Sequence, residues 1–488
     1  MDNNKRGSWA TNFGFIMSAV GSAVGLGNIW GFPYKMGKSG GFSFLLIYIL
    51  ISATVGLVMM VSELAIGRKT EKNPIGAYRA LSKPFSFLGW MAVIAPFLIL
   101  SFYTVLGAYC LEYMVVNLSH IVSGGAALAS GAETFTEMLI SPVSSLIYTL
   151  VFIVFCYIIN RGGVSGGIEK FNKIGMPALF VMLLIIVARS LTLPNAIEGL
   201  KYMFIPGYAV DAGFVEKAPN LITVLATAGG QVFFSLSLAM GIMITYGSYL
   251  KKDESLVKNS ILISVCDTIV ALLAGLAVLP AAIATGLSQG VAPSEIQLGG
   301  PKLLYITLQD VFNSMGVIGP IFGAIFYLLV VIAAITSTIS LLEVVSAYFI
   351  DSRIERGRDP KRTKVISWVC VAVAAEAAVV AIDGLGSNGL WVPFQKTFGT
   401  IGSFNDCWLD FIDTFAEGFL MPLGAIIMSL LIAWIIKPKT ILEEISPDGK
   451  KSFFSVFYTI CIRVIVPVIM ILVLLGQIDS FFALGIFN

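Results

Sequence analysis

Residues 21–33 read GSAVGLGNIWGFP, four glycines in thirteen positions, inside a run from Ala10 to Tyr34 that is otherwise apolar enough to cross a bilayer. Each glycine weakens a helix by roughly 1 kcal/mol relative to alanine. A simple spanning helix has no use for so many, and Asn28 adds a polar amide at membrane depth. The same pattern returns at 228–241, AGGQVFFSLSLAMG, where Gln231, Ser235 and Ser237 interrupt a second apolar run. Two explanations fit. Glycines four apart, such as Gly21 and Gly25, allow close helix packing. Alternatively the helix unwinds, which a bilayer tolerates only where the freed backbone lines a cavity or is buried in protein.

The rest of the chain frames these segments. Of 488 residues, 57% are hydrophobic and 12% charged, against about 25% charged in a soluble protein. Apolar runs of about twenty residues or more mark membrane spans. Eleven are expected, near 10–36, 41–67, 87–118, 142–160, 173–191, 220–250, 257–285, 317–350, 364–383, 409–436 and 453–476. The expected class is an all-α membrane protein, one transmembrane domain over 1–488. Segments 10–36 and 220–250 then open two successive five-span blocks. Interrupted helices at matching places in two halves are the best sequence pointer to a transporter's binding site.

Lysine and arginine set the orientation. Taking alternate loops, 23 of the 31 fall on one side and seven on the other, with Arg463 inside the last span. The N-terminus is therefore expected in the cytoplasm and the C-terminus outside, in a multi-pass protein of the cell membrane. A net charge of +2 points to no nucleic-acid partner. One histidine, His120, and the absence of HExxH or a nucleophile–base pair argue against an enzyme. The six cysteines have no CxxC spacing and read as small buried hydrophobes. No signal peptide is evident, and the sequon at Asn117 lies too near the membrane for glycosylation. The outer loops 286–316 and 384–408 carry Gly- and Pro-rich turns and short interfacial helices.

Ionisable side chains within spans are costly and default to functional candidates: Glu63, Asp267, Glu343, Glu376 and Glu112. Asp267 has no basic neighbour in ILISVCDTIVALLAGLAVLP, so a bound cation would satisfy it. Hard cations take oxygen ligands. Asn28, Ser235, Thr336, Ser337 and carbonyls of a broken helix would supply them, although hydroxyls in TSTIS (336–340) could equally back-bond to their own helix.

The motifs SAVGLGNIWGFPY (22–34), QVFFSLSL (231–238) with ITYGSY (244–249), and AAITSTIS (333–340), in this order, resemble the neurotransmitter:sodium symporter family over nearly the whole chain. The resemblance implies a LeuT-type fold, that of the bacterial leucine transporter: a 5+5 inverted repeat with helices 1 and 6 broken. It implies a sodium-coupled symporter with two sodium sites, importing a neutral L-amino acid by alternating access. One sodium would touch the substrate carboxylate, the Ala23 carbonyl, Asn28, Ser235 and Asp267. The other would lie among the Gly21, Val24 and Ala333 carbonyls, Thr336 and Ser337. The Leu26 and Gly27 N–H groups, with Tyr103 in ILSFYTV, would hold the carboxylate under a Phe234 lid. Gly25 stands where monoamine members have aspartate, which favours a substrate bringing its own carboxylate. Ile99, Phe234, Ser237, Met240 and Leu341 would form a side-chain pocket suited to a neutral apolar or aromatic amino acid. An inner gate would pair Arg6 with Asp351, near Trp9 and Tyr249. Glu63 would accept from the unwound part of helix 6.

Three departures stand out. WGFP replaces the family's WRFP, so Gly31 lacks the outer-gate arginine while its acidic partner survives as Asp413; the gate is absent or rebuilt with Lys35 or Lys38. Asp267 replaces the asparagine of chloride-requiring animal members, implying chloride independence. A twelfth span is missing, leaving the oligomeric state open. A sensor without transport, or a proton-coupled transporter using Glu343 or Glu376 as relay, are the alternatives.

Overall fold

The computed structural model describes residues 7–123, 129–298, 302–393, 407–446, 453–482 and 484–487. These are helical throughout, without strands. We label the main helices α1 (Asn12–Ala23), α2 (Gly27–Lys38), α3 (Phe42–Thr70), α4 (Lys83–Val122), α5 (Pro142–Arg161), α6 (Val164–Leu191), α7 (Leu221–Ser235), α8 (Ile242–Gly247), α9 (Leu256–Ser288), α10 (Gly316–Glu355), α11 (Arg362–Asp383), α12 (Trp408–Ile435) and α13 (Phe453–Asp479). Nine helices among the described residues are each long and apolar enough to span a bilayer, and the bent pair α1–α2 makes a tenth. The remaining expected span, 220–250, is divided into α7 and α8, neither long enough alone. Between 286 and 316 a short helix runs over Leu308–Ser314, whereas 394–406 lies outside the described residues.

Helix 1 begins where Thr11 caps it, accepting from the Gly14 N–H at 3.0 Å. Behind the cap, the Glu169 carboxylate accepts from the Ala10 N–H (2.7 Å) and the Thr11 hydroxyl (2.9 Å) and is held by Lys173 at 2.6 Å. An acidic group at a helix start satisfies free N–H donors and favours the dipole. After Ala23 the chain turns extended at Val24 (ψ 97°), and α2 leaves at 47° to α1. The 220–250 span breaks at the corresponding place, between α7 and α8, through Ser237 (φ 54°), Ala239 (φ 60°) and Gly241 (φ 71°). Left-handed backbone at a serine and an alanine is uncommon and marks a held conformation. Its anchor is Glu63, whose Oε1 accepts from the Ala239 N–H at 2.6 Å, as the sequence led us to expect.

The broken helix sits inside the bundle. Its first half packs against α6, α9 and α10, while α10 runs along α4 and α7 along α3 and α13. Large apolar side chains such as Val154, Phe155 and Ile158 point outward from α5, the arrangement a lipid solvent requires. Asn117 is fully buried and donates to Gln309 Oε1 at 3.1 Å, so its sequon is used structurally.

Candidate functional site

Two oxygen clusters flank a small cavity between the breaks. In the first, Asp267 on α9 gathers three neutral donors. Asn28 Nδ2 reaches Oδ1 at 2.7 Å, Ser235 Oγ lies 2.9 and 3.0 Å from the two carboxylate oxygens, and Tyr48 Oη donates to Oδ2 at 3.1 Å. All four residues are buried to within 1%. No lysine or arginine pairs with Asp267 among the described residues. Asn28 turns its own oxygen back to the Gly25 N–H at 3.3 Å. Tyr48 is the member that sequence reading missed, hidden in the uniformly apolar stretch FSFLLIYILI.

The second cluster forms where α10 meets the unwound turn. Unwinding at Val24 withdraws the amide donors that the carbonyls of residues 21–23 would meet in a continuous helix. The Leu26 N–H, for instance, goes to Tyr103 Oη at 2.8 Å. Ser337 Oγ lies 3.5 Å from Gly21 O and 3.2 Å from Ser22 O, while Thr336 Oγ1 lies 3.5 Å from Val24 O and 2.8 Å from Ala333 O. Ser337 thus lies by the Gly21 and Ser22 carbonyls, and Thr336 by those of Val24 and Ala333. Their neighbours behave differently: Thr338 and Ser340 back-bond to their own helix at i−4, with distances of 2.7 and 2.9 Å. Within one hydroxyl run, Ser337 faces the break, Thr336 back-bonds to Ala333 O while lying 3.5 Å from Val24 O, and Thr338 and Ser340 do not reach the break.

Between the clusters the cavity is about 20 Å³, room for roughly one water. Its lining includes Ala23, Gly25, Gly27, Ile99, Tyr103 and Phe234, continuing through Ser237, Met240 and Leu341. Leu26 and Ser235 are not part of the wall: Leu26 contributes its N–H to Tyr103, and Ser235 turns to Asp267. Ser22, Ile242 and Ser337 complete the lining; no sequence signal marked Ser22 or Ile242 for it. Gly25 is required by space, since a Cβ there would sit 2.2 Å from Tyr103 Oη and 2.3 Å from Ser337 Oγ. The Phe234 ring covers this region, 6.3 Å from the Tyr103 ring.

Above Phe234, Lys35 Nζ stands 5.9 Å from the ring centroid and pairs with Glu417 Oε1 at 3.2 Å. Asp413 lies one turn before Glu417 and lines the same polar cavity of about 410 Å³. At Gly31 an added Cβ would meet Gln231 Oε1 at 3.1 Å, while Gln231 Nε2 donates to Gly27 O at 2.7 Å. Gln231 thus occupies the space beside Gly31, and Lys35 rather than Lys38 makes an ion pair with an acidic side chain of this cavity among the described residues.

At the other end, Trp9 Nε1 donates to Tyr246 O at 3.1 Å and its ring packs on Phe15, Tyr246 and Tyr249. Asp351 accepts from the N–H and side chain of Asn73 at 3.0 and 2.9 Å; Arg6 lies outside the described residues. Glu343 accepts from Tyr249 Oη (2.9 Å) and from Arg362 (3.1 and 2.5 Å). Removing one partner of a buried ion pair leaves an uncompensated charge, at a cost of about 3 kcal/mol or more. Arg362→Ala should therefore lower the thermal midpoint by several degrees, and Arg362→Ala with Glu343→Gln should recover much of the loss. Equal midpoints for wild type and Arg362→Ala would contradict the pairing.

A LeuT-like arrangement of broken helices around such a site defines a class, and the comparisons agree with it. Residues 6–125 and 127–488 match the profile described as the sodium:neurotransmitter symporter family, and the chain belongs to that family. It is 35% identical over 486 residues to an uncharacterized sodium-dependent transporter, YhdH, of Bacillus subtilis (98% of this chain, 99% of the relative). It is 30% identical over 455 residues to an uncharacterized sodium-dependent transporter of Methanocaldococcus jannaschii, MJ1319 (91% and 85%). Among solved structures, that of MhsT in complex with L-phenylalanine superposes with a TM-score of 0.81 at 33% identity, covering 97% of this chain and all of that one. The chain is thus a multi-pass member of a sodium-coupled transporter family, with the fold expected from its broken helices.

Proposed function

We propose that this protein imports a neutral L-amino acid with an apolar or aromatic side chain, driven by sodium and without chloride. The observation that carries this reading is the cavity's position between two buried oxygen clusters, roofed by Phe234 and floored by glycine at 25. One sodium binds among Asp267, Asn28, Ser235 and the Ala23 carbonyl, and touches the substrate carboxylate. A second binds among the Gly21, Val24 and Ala333 carbonyls, Thr336 and Ser337. Both sets are oxygen-only, which suits a hard cation. The carboxylate takes the Leu26 and Gly27 N–H groups, displacing the Tyr103 hydroxyl as acceptor so that Tyr103 donates to it instead. The half-helix that starts there adds the positive end of its dipole. The side chain lies against Ile99, Phe234, Ser237, Met240 and Leu341. The phenylalanine in the solved relative's title supports a side chain of that class.

Coupling follows because ion and carboxylate complete one another's coordination, and such coupling is reciprocal, typically ~1–3 kcal/mol. Fixed negative charge at Asp267 supplies what a chloride would otherwise bring. In a cell membrane with the basic loops inside, Trp9, Tyr249 and Asp351, with Arg6, close the inner side. Lys35 and Glu417, flanked by Asp413, close the outer side. A partly buried pair of this kind contributes about 1 kcal/mol, so Lys35→Met should speed substrate release about fivefold, read as the dissociation rate of bound label. An unchanged rate would remove Lys35 from the gate.

The reading is tested by equilibrium binding of radiolabelled L-phenylalanine and L-leucine to the purified protein across sodium concentrations. Sodium should raise affinity at least about 10-fold, and phenethylamine, which lacks the carboxylate, should not compete. Sodium-independent binding would overturn it.

A further inference from the structure

A wide groove lies apart from the transport site. Between the lipid-facing sides of α4, α10 and α11, near the ends joined by the basic 353–364 segment, lies a groove of about 650 Å³. Its floor is apolar, formed by Phe97, Val345, Phe349 and Val369. Trp90 and Trp368 stand at its sides, 44% and 66% exposed, with Trp90 edge-on to Tyr348 at 5.2 Å. From Trp90 to Phe97 is seven residues of helix, ~10 Å at 1.5 Å per residue. One leaflet's hydrocarbon is ~15 Å deep, so the groove follows an acyl chain for most of a leaflet. Tryptophan and tyrosine at its mouth match the level where such rings collect in membranes.

The mouth is also basic. Arg353, Arg356 and Arg358 all line it. Arg353 Nε donates to the Asp359 carbonyl at 2.8 Å, and none of the three has an ion-pair partner among the described residues. The nearby carboxylates are otherwise engaged: Glu355 pairs with Lys72 at 3.1 Å, and Asp359 Oδ1 accepts from the Lys361 N–H at 3.1 Å. Arg362, by contrast, is spent on Glu343. An apolar trough most of a leaflet deep, ending in arginines without an ion-pair partner among the described residues, has the chemistry of a lipid site, since basic pockets between spans bind anionic headgroups.

We propose that this groove binds an anionic diacyl phospholipid, one acyl chain along α4 and α11 and the phosphate against Arg353, Arg356 and Arg358. A second copy of the chain is a poor occupant, because a two-fold contact sets the same patch on both partners and would oppose arginine to arginine. Nothing in the proposal depends on the assignment of substrate or ions.

Native mass spectrometry of the delipidated full chain in detergent, titrated with dioleoyl phosphatidylglycerol or dioleoyl phosphatidylcholine, tests it. The anionic lipid should bind at least about 10-fold more tightly. Each arginine near an anionic headgroup is worth roughly fivefold, so Arg353→Gln/Arg356→Gln/Arg358→Gln should lose most of that preference. Ala372→Phe, which fills the trough from its exposed wall, should weaken both lipids while leaving the preference intact. Thermal midpoints of both variants should match wild type, as all four positions border solvent or lipid. Equal binding of the two lipids, an undiminished preference in the triple variant, or displacement of the lipid by inorganic phosphate alone would overturn the proposal.

Discussion

Asp267→Asn should leave a transporter that barely works unless an anion such as chloride is supplied. The carboxylate accepts from Asn28, Ser235 and Tyr48 at once. An asparagine offers one oxygen to three donors, and leaving a buried donor unpaired costs ~1–3 kcal/mol. The lost charge adds to this, because attraction between unit charges near 4 Å is worth up to ~4 kcal/mol at an effective dielectric of 20. We expect sodium affinity without chloride to fall at least ~30-fold, the equivalent of ~2 kcal/mol. Chloride should restore part of it. The measurement is sodium-dependent uptake by Asp267→Asn proteoliposomes in chloride and in gluconate. Wild-type uptake in gluconate by this variant would show that the charge at 267 does not take the anion's role.

Gly25→Ala carries the second large effect. Its Cβ would lie 2.2 Å from Tyr103 Oη and 2.3 Å from Ser337 Oγ. The serine hydroxyl can rotate aside, but only by leaving the Gly21 and Ser22 carbonyls of the second cluster. The tyrosine hydroxyl ends a rigid ring and can withdraw only by moving the ring. One methyl would therefore disturb both the proposed carboxylate contact and the proposed second ion site. Overpacking of this kind costs ~1–3 kcal/mol and is present before substrate arrives, so the thermal midpoint should fall by a few degrees and amino-acid affinity should drop 10-fold or more. Affinity within twofold of wild type would mean that the substrate does not approach Gly25.

The spans and their breaks were legible because bilayer thickness imposes runs of about twenty apolar residues, and because Gly25, Gln231 and Ser235 have no purpose in a plain spanning helix. The inward-facing half of TSTIS was legible only through the family pattern. Composition alone does not separate Thr336 and Ser337, which approach carbonyls of the broken turn, from Thr338 and Ser340, which do not. What escaped the sequence was set by packing across the bundle. Tyr48 has apolar neighbours on both sides and becomes polar in role only because α9 brings Asp267 to it. Glu343 looked like a relay candidate until Arg362, beyond the turn after α10, proved to pair with it. Asp413 and Glu417 are one helical turn apart, and only the course of α2 decides that Lys35 pairs with the second. Gln231 filling the space at Gly31 is likewise a fact of two helices, not of one.

The central claim is that sodium drives an amino acid uphill through this site. Uptake of a panel of radiolabelled neutral amino acids into proteoliposomes, under an inward sodium gradient, tests it most directly, with chloride present or replaced. The account predicts accumulation of at least one apolar or aromatic L-amino acid above its external concentration. That accumulation should require sodium, persist without chloride and collapse when an ionophore dissipates the gradient. Accumulation that ignores sodium and follows a proton gradient would contradict it, as would sodium-dependent binding with no flux at all.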